Sequence, residues 1–114
     1  MTVLRALVER YGDTLPPLVV TALGASWPDS VDRQGAIADT ERIRWLGAHL
    51  AALAEAVHEG LPLEAVQLWT LVDAFEWQHG YTRPHGLVAL DRHGADRVPK
   101  ASFDWLRRVL DARS

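Results

Sequence analysis

The sequence contains no cysteine. That absence excludes a disulfide framework, every thiolate metal site and any cysteine nucleophile. No apolar run approaches the roughly 18 residues that a spanning helix needs. The opening stretch "MTVLRALVERYGD" carries acids and bases too early for the apolar core of a secretory leader. Together these features predict a cytoplasmic protein with no membrane partner. An excess of positive charge is also missing: 12 Lys and Arg stand against 15 Asp and Glu, for a net charge of -3. The basic side chains are scattered, so nothing electrostatic favours nucleic acid. There is no internal repeat and no low-complexity tract.

What is present is a globular composition, 48% hydrophobic and 24% charged, in a chain of one domain's length or less. Apolar residues at 3, 4, 7 and 8 form a helical face that Gly12 and Asp13 end. Pro16 and Pro17 force extended backbone. "LVVT", 18–21, is a continuous apolar run of strand length, suited to a strand buried on both faces. Residues 24–39 are rich in Gly, Asp and Ser and read as a loop. Asp39 is placed to cap a helix in which Ile43, Leu46, Leu50, Leu53 and Val57 recur at spacings of three and four, with Gly60 as its stop. Residues 63–71, "LEAVQLWTL", read as a second strand and 73–86 as an aromatic, polar loop. "LVAL", 87–90, with the stretch that follows suggests a short hairpin. A final helix opens at Lys100 or Ser102, with Phe103, Leu106, Val109 and Leu110 on one face.

The alternation predicts an α/β fold with two parallel strands and crossover helices. Two parallel strands leave both sheet edges unpaired. The chain is therefore expected to need either self-association or further strands from a partner to close.

Ligand chemistry in such folds gathers beyond the C-terminal ends of the strands. "WTLVDAFEW", 69–77, falls there. Indoles stack on the C–H faces of pyranose rings, and an ionised carboxylate accepts from two adjacent hydroxyls. Trp69, Glu76 and Trp77 thus form a plausible sugar clamp. On composition alone, a Trp-rich core patch with a solvated acid carries more weight, and Asp73 reads as a cap. The five histidines, His49, His58, His79, His85 and His93, show no ligand spacing on one face, so no metal is expected. No cofactor is expected either, and no Ser lies in a nucleophile-elbow sequence.

The same residues resemble the C-terminal part of a family 1 glycoside hydrolase, the β-glucosidase-type (β/α)8 barrel. The family pattern W-S-L-L-D-N-F-E-W is met by "WTLVDAFEW", G-Y-S-x-R-F-G-L-V-x-V-D by "GYTRPHGLVALD", R-x-P-K by "RVPK" and P-L-Y-I-T-E-N-G by "PLVVTALG". "DTERIRWLGAHLAAL" is similar to the family's seventh helix and "LRALVERYG" to the end of its sixth. The resemblance implies that residues 1–114 are a single segment, a partial TIM barrel running from helix six to helix eight. A whole barrel needs about 250 residues, so the other strands would come from a second chain or a homo-oligomer.

By that likeness Glu76 binds glycone hydroxyls, and Trp69 and Trp77 wall the subsite. His85 lies in it where the family has Phe, and Ala74 stands for Asn. Retaining hydrolysis needs two carboxyl groups roughly 5 Å apart. The family's nucleophile is the Glu of T-E-N-G, but "TALG" puts Ala22 at that position and Leu23 beside it. No catalytic carboxylate is then expected in this chain. The drift at Ala74 and His85 makes natural divergence the preferred explanation. The implied role is the glycone-binding part of a pocket for a β-glycoside or related small molecule, not hydrolytic by the usual route. The alternatives are a self-associating carbohydrate-binding or interaction module, and a repurposed non-hydrolytic enzyme subunit.

Overall fold

The computed structural model describes residues 2–91 and 96–112. The amphipathic run at the N-terminus forms α1, Thr2–Tyr11, and a 3-10 turn over Gly12–Thr14 leads to the two prolines. Strand β1, Leu18–Leu23, follows. Helix α2, Thr40–His58, buries Leu46, Leu53 and Ala56 at helical spacing. Strand β2, Leu63–Leu68, lies parallel to β1, with Leu18 opposite Leu63, Val20 opposite Val66 and Leu23 opposite Leu68. The register slips between Leu18 and Val19 and again between Val20 and Leu23.

Strand β2 stops before Trp69, earlier than the pattern through residue 71 predicts. Thr70 has φ 54°. This left-handed value is unfavourable for a β-branched residue and ends extended pairing. The expected hairpin is present as β3, Val88–Leu90, antiparallel to β4, Arg97–Pro99. Its tip, with His93, lies outside the described residues. Helix α3, Ala101–Asp111, starts immediately after Lys100.

Asp39 corrects the expectation of a local cap. Its carboxylate makes no capping bond to α2. It accepts instead from Ser102 N at 2.8 Å and Ser102 Oγ at 2.5 Å. It therefore caps the start of α3, 63 residues along the chain.

The fold is α/β, and the parallel pair is a two-stranded sheet, with no closed barrel among the described residues. The molecule is a slab of 52 × 35 × 19 Å with a radius of gyration of 16.5 Å. A compact chain of this length would have about 13 Å. Its accessible surface is 8180 Å², where a folded monomer of this mass has roughly 6200 Å². Val3, Val31, Leu71 and Leu110 are all more than half exposed. No helix among the described residues is long and apolar enough to cross a membrane.

Candidate functional site

The C-terminal ends of β1 and β2 meet where Trp69 N donates to Leu23 O at 2.9 Å. The two backbones approach so closely that a Cβ on Gly24 would lie 2.8 Å from Trp69 Cβ. Ala22, in β1, is exposed beside this junction. Beyond β2 the chain runs through Thr70, whose Oγ1 donates to Val72 O at 2.7 Å, into the loop that carries Glu76.

Glu76 and Gly80 pair across a tight turn, with Glu76 N donating to Gly80 O at 2.8 Å and Gly80 N to Glu76 O at 2.6 Å. This turn returns the chain toward His85. On the Glu76 carboxylate, one oxygen, Oε1, faces two nitrogens. Trp69 Nε1 donates to it at 3.5 Å, and His85 Nδ1 lies 3.5 Å away. His85 Nδ1 also lies 3.0 Å from Arg83 O. A carbonyl accepts only, so this contact selects the tautomer with the proton on Nδ1. The Glu76 side chain is 25% exposed, so it is reachable but partly desolvated. The structure thus brings Trp69, Glu76 and His85 together.

Trp77 is placed differently. It is 94% exposed, and its ring meets Phe75 edge-on at 6.1 Å. Phe75 in turn meets Tyr81 edge-on at 5.5 Å. The second indole therefore belongs to an exposed aromatic tip, while the first contacts the carboxylate.

Below the loop lies a cluster of buried charge that the sequence reading missed. Lys100 is fully buried; its Nζ lies 2.5 Å from Asp29 Oδ2 and donates to Asp73 Oδ1 at 2.8 Å. Arg42, with 2% of its side chain exposed, pairs with Asp39 Oδ2, lies 3.3 Å from Asp29 Oδ1 and donates through Nη2 to Pro84 O at 2.8 Å. Asp73, expected to cap within its loop, also anchors Lys100. The same Asp73 Oδ1 accepts from Gly86 N at 2.8 Å. These residues come from the loop after β1, from α2, from the Glu76 loop and from the start of α3. The available signal was the "RVPK" lysine directly before a helix, an odd place for a charge unless it is paired inward.

His49, weighed as a metal ligand, stacks on Trp45 at 3.8 Å between ring centroids. No group of three or more His, Asp or Glu side chains among the described residues is arranged to hold a metal ion.

An open α/β unit with an indole-flanked carboxylate beyond its strand ends places its polar groups where barrel folds build their sites. The family model for glycosyl hydrolase family 1 matches residues 1–114, and the chain belongs to that family. It is 40% identical over 107 residues to a bifunctional β-D-glucosidase/β-D-fucosidase of Bifidobacterium breve, covering 89% of this chain and 23% of that one. It is 34% identical over 108 residues to β-glucosidase A of Thermotoga maritima, covering 95% and 24%. Among solved structures, the Thermotoga maritima β-glucosidase in complex with noeuromycin superposes with a TM-score of 0.90 at 34% identity, covering 96% of this chain and 25% of that one. The chain therefore spans about a quarter of the length of these relatives.

Proposed function

We propose that this chain supplies the glycone-binding edge of a β-glucosidase-like pocket and does not hydrolyse glycosides by the retaining route. The observation that carries the reading is the convergence of Trp69 and His85 on one oxygen of Glu76 just beyond β2. Trp69 donates to Oε1 and His85 lies beside the same oxygen, which leaves Oε2 to accept from a ligand hydroxyl, and an ionised acceptor makes that bond stronger than a neutral one. Trp69, 47% exposed, offers a face for a sugar ring. Trp77 joins the wall when further strands bring a neighbour to its open side.

Ala22 takes the place of the nucleophile in this reading. A methyl group forms no glycosyl ester, and Glu76 lies in a different loop from the position a displacement requires. The remaining strands come from polypeptide outside residues 1–114, and the open parallel pair with its excess surface supports that need. The test adds strands that complete the barrel and assays an aryl β-glucoside together with ligand binding. Sugar binding that depends on Glu76, without turnover, is the expected result. A trapped covalent glycosyl intermediate on this chain would overturn the reading.

A second arrangement is favoured by a different observation. A groove of about 460 Å³, lined by Leu50, Leu53, Val66, Leu106 and Val109, lies between α2, α3 and β2. Two copies packed there across a two-fold axis would form a self-associating sugar-binding module. Sedimentation of the purified chain separates the two: a stable homodimer that binds sugar supports the module, and a chain that becomes well behaved only with added barrel strands supports the split pocket.

A further inference from the structure

We propose that Lys100 and Arg42 are positioning residues for the carboxylate loop, holding its two ends so that Glu76 meets Trp69 and His85. The loop leaves the sheet at Asp73 and returns at Gly86. Backbone bonds from Leu87 N to Leu71 O and from Asp73 N to Val88 O pair the two arms of its neck, and Asp73 Oδ1 adds a side-chain tie by accepting from both Gly86 N and Lys100 Nζ. A Cβ on Gly86 would lie 2.4 Å from Asp73 N and 2.6 Å from Val72 C, so the two strands of the neck touch backbone to backbone. Lys100 is itself fixed through its own backbone, with N donating to Leu87 O at 2.9 Å. Arg42 holds the returning strand at a second point, Pro84 O, the residue before His85. Lys100 therefore acts on Glu76 through Asp73, and Arg42 acts on His85 through Pro84.

Fully burying an ammonium is uncommon, and for stability alone a buried ion pair is no better than apolar packing of similar volume. Arg42 Nε is buried without a hydrogen-bond partner among the described residues. What the charges supply is connection: each cation has several donors, the Arg42 fork at fixed angles, and together they join three segments. Among the described residues the buried charged side chains, Asp39, Arg42 and Lys100, lie beneath the loop and at the start of α3.

The inference uses the sugar-site reading for its consequence but not for its geometry, so the experiment reads geometry first. In the protein completed with the added barrel strands, the Trp69 indole N–H and the His85 ring signals are assigned by NMR through Trp69→Phe and His85→Phe. Lys100→Met is then compared with Leu53→Ala, which weakens the α2 core away from the loop. The expected result is a displaced Trp69 indole signal in folded Lys100→Met, a displaced His85 signal in Arg42→Met, and neither displacement in Leu53→Ala. Should Lys100→Met fail to fold, Asp73→Asn, which keeps an oxygen acceptor at the neck, is judged by the same criterion. Unmoved signals in the folded variant, or equal movement in Leu53→Ala, would overturn the assignment. Displaced signals without any sugar binding by the parent protein would leave the positioning role standing and refute only the sugar reading.

Discussion

Trp69 Nε1 and Glu76 Oε1 lie 3.5 Å apart across seven residues of sequence. The strand end and the loop thus face each other with a donor on one side and an ionisable acceptor on the other. The contact is long for a hydrogen bond, and shortening it would require a small movement of the loop. The proposed binding of a ligand hydroxyl at this carboxylate gives Glu76 a direct test.

Glu76→Ala is expected to weaken sugar binding by about 1.5–3 kcal/mol, the contribution of a hydrogen bond to a charged group. Glu76→Gln keeps the shape and recovers part of it. Calorimetric titration of the barrel-completed protein with a monosaccharide inhibitor would check this; equal affinity in both variants and the parent would remove Glu76 from the site.

Arg42→Met leaves the Asp39 and Asp29 carboxylates facing a thioether inside the fold. Breaking a buried pair on one side costs about 3–5 kcal/mol. Urea unfolding followed by circular dichroism should show the midpoint fall, while a change at the exposed Arg44–Glu41 pair should move it by about 0.5 kcal/mol or less.

Gly86→Ala places a methyl carbon inside van der Waals contact with Asp73 N and Val72 C. Backbone cannot rotate out of the way as a side chain can. A destabilisation of about 1–3 kcal/mol is expected from the overpacking alone, together with a displaced Trp69 indole signal. A thermal melt with both values unchanged would show that the neck is looser than its geometry.

Ala22→Glu, combined with Leu23→Asn, restores the residue types of the family's T-E-N-G pattern at the exposed end of β1. In a barrel completed with strands that carry an acid/base carboxylate, these changes should create slow hydrolysis of an aryl β-glucoside. They should also permit covalent capture by a 2-fluoro glycoside. Parent protein with the same turnover would show that Ala22 does not stand at the nucleophile position proposed for it.

The core helix was readable from Leu46 and Leu53, because a 3.6-residue repeat writes itself directly into local structure. The parallel strands were readable from "LVVT" and "LEAVQL", and the hairpin from "LVAL". Trp69 and Glu76 stood out as chemistry at a strand end. Asp39 was misread, since a carboxylate beside a helix start looks like a local cap, and the buried cation on Asp73 was not foreseen. Their partners, Ser102 and Lys100, lie 63 and 27 residues away, and no short-range pattern encodes such a distance.

By itself, the sequence determined the order of helices and strands, the absence of thiol chemistry and the motifs that mark the family. Periodicity and residue chemistry are local, so they survive without coordinates. Only the tertiary structure decided that Trp69 rather than Trp77 reaches Glu76, that His85 shares the same oxygen, and that Lys100 and Arg42 lie buried beneath the loop. The physical reason is that a side chain's partners depend on how distant segments pack, and burial turns those pairings into fixed geometry only once the chain has folded.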